Sequence, residues 1–321
     1  MTAYRKAILF AKGLIYESRN GYLSASKHFD PNDVNTDVTG HVFMVTGANS
    51  GIGKETTREL AKRGGEVHMV CRNEGRATEA RDEIVRETNN EKIFVHILDM
   101  SNIRSVSEFA KSFSANHDRL DVLVNNVGEM ITEWRLTETE NLETNFATNS
   151  MSHFVLTESL LPLLEKSERP KVVNVGSSGM MLQGLNPRCY SKEKPQYFDG
   201  IIVYAQCKRQ MMVLTEYWAE KHGNVHFSCM HPGWVDTPAS RRGLGDLFEK
   251  MGDRFRTPAQ GADTVVWLCL AKKATTHQSG SFFQDRKVGR KHLPLASTKH
   301  SRREQTAFIQ CMKNIALTFT T

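Results

Sequence analysis

The chain has 321 residues, of which 39% are hydrophobic and 24% charged, enough for one large α/β domain or two ordinary ones with sizeable cores. Its net charge of +6 comes from dispersed Lys and Arg, which argues against a nucleic-acid partner, and the scattered histidines suggest no metal site. The six cysteines have no metal-type spacing and are expected to be reduced cytosolic thiols, while no apolar stretch approaches the roughly 20 residues that span a bilayer.

The first 39 residues are expected to form an amphipathic helical extension followed by a polar linker. Short apolar runs within residues 1–20 are interrupted by charges, which excludes a secretory signal. The helix is expected to pack on the domain, in a cytoplasmic protein. Two alternatives stay open: peripheral contact with a membrane surface through residues 1–20, and a basic mitochondrial presequence.

A glycine-rich segment follows the first predicted strand, Val42–Val45, and precedes a run of good helix formers that begins at Lys54. A strand, a tight turn and a helix N-terminus together form a preformed anion site, since the first helical N–H groups lack internal partners. Glycines also let a pyrophosphate approach the backbone closely. This segment predicts a dinucleotide site with contacts from Thr46, Gly47, Asn49, Ser50, Gly51, Ile52 and Gly53, with an ordinary strand-to-helix turn as the alternative.

The second predicted strand, Val67–Val70, ends in Cys71-Arg72-Asn73. In an NAD site this region carries an acidic residue for the ribose 2′-hydroxyl, whereas a basic residue accommodates a 2′-phosphate. No acid is present at positions 71 and 72, and the planar fork of Arg72 suits phosphate. The sequence therefore predicts NADP, unless Arg72 is an ordinary solvated surface residue.

Further strands alternate with helix-like stretches as far as Lys171–Val175. One of them ends at Asp99, which can cap the following helix. Another begins near Leu120 and ends in the polar turn Asn125–Gly128. Repeated βαβ units predict a single doubly wound parallel sheet with helices on both faces, an α/β fold.

The order of motifs resembles that of the short-chain dehydrogenase/reductase family. The spacing Thr-Gly-x-x-x-Gly-x-Gly from Thr46, and Asn-Asn-Val-Gly from Asn125 in place of Asn-Asn-Ala-Gly, carry this resemblance. It covers roughly residues 40–290 and implies a Rossmann-type domain there, with residues 291–321 as a C-terminal tail and helix. It also implies hydride transfer between a nicotinamide and a carbonyl or alcohol, with Asp99 near the adenine and Asn125 and Gly128 at the cofactor.

The family uses a Tyr-x-x-x-Lys pair as acid/base and tuner, and this chain offers two. Tyr190 and Lys194 have a common spacing from Ser177, but Pro195 disfavours helical angles at Lys194. Tyr204 and Lys208 begin a long apolar-periodic run, so they share a helix face. We therefore assign Tyr204 and Lys208, which requires an inserted loop at about residues 180–200. The lysine ammonium, with the charge of an oxidised nicotinamide, is expected to lower the pKa of the phenol.

Two further pairs are ambiguous. Ser177 matches the family's substrate-aligning serine, with Ser178 as the alternative and a plain turn serine also open. The text from Phe146 to Phe154 resembles Phe-x-x-Asn-x-x-x-His-Phe, which places the family's proton-relay asparagine at Asn149 rather than Asn145. An asparagine in mid-helix costs stability, which fits a use for it, although a capping or surface role stays open.

The last motif, after the strand near Val225–Met230, resembles the family's Pro-Gly-x-x-x-Thr segment. It implies contacts from Pro232, Gly233 and Thr237 on the nicotinamide side, followed by a mobile substrate lid at residues 239–256. The resemblance implies a lipophilic carbonyl or alcohol of the retinoid, steroid or fatty aldehyde class. An NADP-binding regulator or scaffold with little turnover is the alternative, and the oligomeric state stays open.

Overall fold

The computed structural model describes residues 2–190 and 193–320, which form one eight-stranded sheet with the strand order β3-β2-β1-β4-β5-β6-β7-β8. All neighbouring strands are parallel except the last pair, β7 and β8. The strands are β1 Val42–Thr46, β2 Glu66–Cys71, β3 Ile93–Ile97, β4 Val122–Asn125, β5 Lys171–Val175, β6 His226–His231, β7 Ser281–Gln284 and β8 Lys287–Val288. The predicted doubly wound α/β sheet is confirmed, with a two-residue antiparallel edge that the sequence did not indicate.

Helices cover both faces of this sheet. They are α1 Thr2–Lys12, α2 Arg19–Ser26, α3 Gly51–Ala61, α4 Glu74–Thr88, α5 Ile103–Asn116, α6 Thr144–Phe146, α7 Ser152–Leu164, α8 Gly200–Lys221, α9 Pro238–Leu244, α10 Asp246–Met251, α11 Pro258–Leu270 and α12 Arg302–Thr320. The described residues form three hydrophobic clusters: one lies under α3, α4 and α11, a second lies under α5, α7, α8 and α12, and a small third cluster includes Met180, Met212 and Phe282. Strands buried on both faces explain the nearly continuous apolar text of β1 and β4.

The N-terminal extension is helical and lies on the domain. After α1 the chain forms a π-helical turn, Gly13–Glu17, then α2 and a 3₁₀ turn at Pro31–Val34 within the predicted linker. Arg5 donates hydrogen bonds to the carbonyl oxygens of Leu182, at 2.9 Å, and Ala296. The outward side of this extension leaves Ile15 61% exposed, and contact with a membrane surface stays a prediction.

The helix predicted within residues 291–321 is α12, which spans Arg302–Thr320. It packs on α5 and buries Phe308, Ile309 and Met312 in the cluster under α5, α7 and α8. Of the helices in residues 2–190 and 193–320, none combines the length and the apolar character needed to cross a bilayer. The division at residues 40 and 290 is a prediction about folding units, and both flanking segments contact the central domain.

Candidate active site

A cavity of about 580 Å³ lies at the carboxyl ends of the parallel strands. This is the edge at which open α/β sheets bind ligands, because the strand-to-helix loops converge there. Of the predicted site residues, the following line the cavity: Gly47, Asn49, Ser50, Gly51, Ile52, Arg72, Asp99, Gly128, Ser177, Tyr204, Lys208, Gly233 and Thr237. The fold therefore brings together residues that are up to 190 positions apart in the chain.

The glycine-rich loop has the geometry of an anion cradle. Gly47 and Gly51 have φ values of +66° and +54°, a region that favours glycine, and the Gly47 N–H donates to Val70 O at 2.8 Å. Ser50 precedes α3 and makes no side-chain cap, so the first N–H groups of that helix stay available at the cavity. These features fit a pyrophosphate, as the loop would bring backbone donors close to it.

Four predicted cofactor contacts lie behind the cavity wall instead. The hydroxyl of Thr46 accepts from the N–H groups of Asn126 and Val127 at 2.9 and 3.0 Å and so ties β1 to the turn after β4. A Cβ on Gly53 would lie 2.3 Å from Gly47 O, so this glycine allows the helix to approach the loop.

The other two are Asn125 and Pro232. The amide of Asn125 donates to Thr157 Oγ1 at 3.0 Å and to Asn174 Oδ1 at 2.9 Å, inside the core. The carbonyl of Pro232 accepts from Arg256 at 3.1 Å. All four residues shape the site without facing it. Loop motifs alone could not reveal this, because they do not distinguish residues that touch a ligand from residues that hold the loop.

Arg72 lies at the open rim of the cavity. Its side chain is 57% exposed and contacts Glu129 Oε1 at 3.3 Å. Arg76, in the first turn of α4, also lines the cavity. Asp99 accepts hydrogen bonds from the N–H and hydroxyl of Ser101, both at 2.8 Å. The cap of α5 is Asn102, so the capping role considered for Asp99 is wrong.

The two Tyr-x-x-x-Lys candidates lie in different environments. Tyr204 and Lys208 are in α8, with Lys208 Nζ 5.4 Å from the centroid of the Tyr204 ring, and both line the cavity. Lys208 Nζ also donates to Val175 O at 3.0 Å, at the end of β5. Tyr190 instead stacks on Phe146, with ring centroids 4.5 Å apart, in the loop before α8. Residues 191 and 192 of that loop lie outside the described part of the chain.

Burial dominates the protonation of this pair. It raises the pKa of Tyr204 to about 12, against the opposing effect of a hydrogen bond with Ser177, and it lowers the pKa of Lys208 to about 8. The expected lowering of the phenol's pKa is therefore not produced by the described groups of the chain alone. At neutral pH the phenol holds its proton and the lysine is charged.

The two neighbouring serines have separate partners. The hydroxyl of Ser177 accepts from Gly179 N at 3.1 Å and is hydrogen-bonded to Tyr204 in the cavity. The hydroxyl of Ser178 is buried and donates to Glu17 Oε2 at 2.7 Å. The strand end turns only one of them toward the tyrosine, and that one is Ser177.

The asparagine pair holds the loop that follows β4. Asn149 lies in a π-helical turn, Ala147–Met151, where its Oδ1 accepts from Glu129 N at 3.1 Å and its Nδ2 donates to Glu129 O at 2.8 Å. Asn145 makes the equivalent pair of hydrogen bonds with Ile131. A Cβ on Gly128 would lie 3.1 Å from both Asn149 Oδ1 and Lys208 Nζ, so these two groups flank the same glycine.

Comparison with known proteins assigns the family. Residues 41–244 match the model for the short chain dehydrogenase family. The chain is a short-chain dehydrogenase/reductase. It is 51% identical to dehydrogenase/reductase SDR family member 12 of Bos taurus over 99% of this chain and 100% of the relative, and 48% identical to the Homo sapiens protein of that name over the same shares. The segments Gln284–Lys287 and His292–Ala296, with the N-terminal extension, predict this individual similarity, which the comparison confirms.

More distant relatives are also informative. Retinol dehydrogenase 12 of Mus musculus is 33% identical over 78% of this chain and 79% of its own. A solved short chain dehydrogenase of Shigella flexneri, complexed with NADP, is 22% identical with a TM-score of 0.62, over 78% of this chain and 99% of that one. The structural similarity supports the fold.

The remaining wall of the cavity in this family member is largely apolar. The predicted lid region forms the short helices α9 and α10, and Thr237 caps α9 in a reciprocal pair with Ser240. The apolar residues that line the cavity include Leu9, Phe10, Met130, Leu182, Ile201, Trp234, Leu244, Leu247, Met251 and Phe255. Sequence analysis missed Leu9 and Phe10 as site residues, and it also missed the buried pair Glu17 and His231. The available signal was that Glu17 is the one acidic residue among the basic and apolar residues 1–20.

Proposed function

We propose that this protein is an NADP-dependent oxidoreductase that transfers hydride between the nicotinamide and a lipophilic carbonyl or alcohol. The observation that carries the proposal is the convergence of Ser177, Tyr204 and Lys208 in one cavity, next to a glycine loop with free helical N–H groups. A hydride acceptor needs a proton donor at the carbonyl oxygen, and the protonated phenol of Tyr204 is placed in the same cavity to supply it.

Each side chain has a proposed role. Tyr204 gives its proton to the substrate oxygen during reduction, or receives it during oxidation. Ser177, which is hydrogen-bonded to that phenol, aligns the same oxygen. Lys208 supplies positive charge beside the phenol and anchors the ribose. Asn149, which flanks Gly128 together with Lys208, is the proton-relay residue. The bound nicotinamide supplies or accepts the hydride.

Arg72 and Arg76 support the preference for NADP. Both line the cavity beside the end of β2, where a 2′-phosphate would lie, and Arg72 is charged and exposed enough to reorient toward it. Solved relatives of similar fold have been crystallised with NADP or NADPH, which is consistent with this assignment. Gly47, Gly51 and the N-terminus of α3 would hold the pyrophosphate, with Thr237 near the nicotinamide.

The apolar wall supports a lipophilic substrate of the retinoid, steroid or fatty aldehyde class. Transfer of apolar surface from water into such a cavity is favourable, at about 25 cal/mol per Å². The names of the retinol dehydrogenases point in the same direction. No such wall would be needed for a small polar substrate.

The deciding test compares Tyr204→Phe with the wild type on retinal and decanal, with NADPH and NADH binding measured by fluorescence titration. We expect Tyr204→Phe to bind NADPH normally and to lose at least about 100-fold in kcat, because only the proton donor is removed. Tyr190→Phe is the matched control and should stay active. Full activity of Tyr204→Phe would refute the assignment. A wild type that binds NADPH without turning over any carbonyl would favour the regulator or scaffold function.

A further inference from the structure

A buried carboxylate joins the N-terminal extension to the candidate active site. Glu17 is fully buried, and its Oε2 accepts from Ser178 Oγ at 2.7 Å and lies 3.1 Å from His231 Nε2. Lys12 Nζ is 3.4 Å from Oε1 of the same group. Ser178 follows the proposed substrate-aligning serine, and His231 ends β6 directly before the Pro-Gly segment. Glu17 therefore connects two loops of the site at once.

Backbone contacts fix the same segment a second time. Trp234 N donates to Glu17 O at 2.8 Å, and Arg256 donates to Tyr16 O at 2.7 Å and to Ser18 O at 3.2 Å. Arg256 is itself buried and paired with Asp285 at 2.6 Å. The chain also passes close to the Trp234 ring, since a Cβ on Gly13 would lie 2.0 Å from it. The extension is thus held by specific contacts on the side of the cavity.

The charge of Glu17 is held by this arrangement. Burial alone would raise its pKa, but the His231 imidazole, Lys12 and the Ser178 hydroxyl together keep the pKa at about 2. A buried carboxylate is costly unless it is paired and hydrogen-bonded, so Glu17 depends on Ser178, His231 and Lys12 to remain buried and charged at this position. His231 lines the cavity, and neither of its ring nitrogens makes a hydrogen bond of good geometry within the described residues, so the 3.1 Å approach of Glu17 Oε2 to Nε2 is an ion-pair contact.

The preceding turn of α1 contributes side chains to the cavity itself. Leu9 and Phe10 line its apolar end, and the rings of Phe10 and Trp234 lie 5.8 Å apart between centroids. Leu247 and Met251 of α10 line the same cavity. The wall that would contact a lipophilic substrate is therefore built from the N-terminal extension as well as from the lid.

We propose that residues 2–17 form a substrate-binding wall of the active site and determine its preference for long apolar substrates, with Glu17 as the positioning residue that latches this wall to Ser178 and His231. This inference rests on the proposed oxidoreductase function. It assigns to the N-terminal extension a role in specificity, in addition to its packing on the domain.

The first experiment compares Phe10→Ala with Ile8→Ala, a neighbour on α1 of similar exposure, 39% against 44%, that lies outside the cavity wall. We measure kcat/KM for decanal and butanal with NADPH. Phe10→Ala is expected to reduce the decanal/butanal ratio by about 10-fold, a typical effect of removing apolar contacts from a pocket, and Ile8→Ala to leave it within about twofold. An unchanged ratio in Phe10→Ala would overturn the inference while leaving the proposed function in place.

The second experiment tests the latch with Glu17→Gln. Its matched control is Glu165→Gln, which alters another Glu–His pair, with His222 at 3.1 Å, at the opposite end of the sheet. Glu17→Gln should accelerate amide hydrogen exchange in residues 2–17 and lower the decanal/butanal ratio several-fold with little change in NADPH affinity, whereas Glu165→Gln should do neither. A global loss of protection, or an equal loss for both aldehydes, would mean that Glu17 only stabilises the fold and would refute the latch.

Calorimetric titration with 1-decanol and 1-butanol separates the two proposals without turnover. A wild type that binds decanol more tightly, with this preference reduced in Phe10→Ala, supports the inference even if no aldehyde is reduced; the oxidoreductase function alone would then fail. If the wild type shows no preference for decanol, the wall does not select apolar length and the inference is wrong.

Discussion

Arg72 is the residue on which the proposed cofactor preference depends. Arg72→Gln should weaken NADPH binding on the order of 10-fold, as expected for the loss of one charge-assisted hydrogen bond, with little effect on NADH. Fluorescence titration of both nucleotides measures the difference.

A matched control for this prediction is Arg81→Gln, in the helix α4 that follows Arg72, where Arg81 is paired with Asp82 at 2.6 Å and lies outside the cavity wall. It makes the same change in net charge, so an equal effect of both variants would mean that only the general positive field of the protein attracts NADPH. Equal losses for NADPH and NADH in Arg72→Gln would contradict the 2′-phosphate assignment.

Lys208 gives a prediction about pH, because burial lowers its pKa to about 8 in the folded protein from 10.5. Below pH 8 the native state carries a buried charge that the unfolded chain carries in water, which destabilises the fold. As the pH rises from 8 toward 10.5, the unfolded state binds more protons, so this penalty disappears. Lys208→Met should therefore be more stable than the wild type at pH 7 by about 1–3 kcal/mol, an advantage reduced by the lost hydrogen bond to Val175.

Urea denaturation at pH 7, 8, 9 and 10 would measure this effect as the difference in free energy of unfolding between Lys208→Met and the wild type. The difference should be largest at pH 7 and should shrink from about pH 8 to pH 10. The phenol of Tyr204 does not interfere, since its raised pKa affects stability only above pH 10. A difference that is constant with pH would show that Lys208 is not charged and buried in the folded protein.

At the scale of elements, α8 shows what could be predicted from the sequence and what could not. The apolar period from Tyr204 onward predicts the helix, but the helix begins earlier, at Gly200, where Asp199 caps it by accepting from the N–H groups of Ile201 and Ile202. The inserted loop before it has no such signal. Its tyrosine, Tyr190, packs on Phe146 by tertiary contact, which a local pattern does not encode.

The π-helical turn Ala147–Met151 could not be predicted either, because its extra residue is stabilised by side chains that reach a distant loop. Asn149 and Asn145 each bridge the backbone of that loop, so Asn149→Ala and Asn145→Ala should both reduce the free energy of unfolding by about 1–3 kcal/mol. Only Asn149 flanks Gly128 together with Lys208. Asn149→Ala, unlike Asn145→Ala, should therefore lower kcat even when the variant is fully folded.

Steady-state kinetics at a temperature where both variants are fully folded separates these effects. If Asn145→Ala lowers kcat as much as Asn149→Ala does, the two residues act only by holding the loop at Glu129 and Ile131. The proton-relay role proposed for Asn149 would then be wrong.

At the scale of the whole molecule, the sequence predicts the sheet and the two terminal helices, but not the surfaces on which those helices pack. Apolar strands that alternate with helices, and the glycines at the turns between them, encode the parallel sheet locally. The positions at which α1 and α12 pack depend instead on surfaces formed by other elements. Glu17 illustrates this: its partners Ser178 and His231 lie 161 and 214 positions further along the chain, and nothing in the text around it indicates them.

The C-terminal helix is expected to be part of the cooperative fold. Phe308 is fully buried in the core shared by α5, α7 and α8, and Lys111 on α5 also donates to Thr320 O at 2.8 Å. Phe308→Ala should therefore cost about 3–5 kcal/mol, since it leaves a cavity in a packed core. Leu317→Ala, on the same helix but 59% exposed, should change the free energy of unfolding by less than about 0.5 kcal/mol.

Denaturation followed by both tryptophan fluorescence and circular dichroism checks this prediction for α12. Coincident transitions with a lowered midpoint in Phe308→Ala mean that α12 unfolds with the sheet, whereas an unchanged midpoint would show that the helix is a separate appendage.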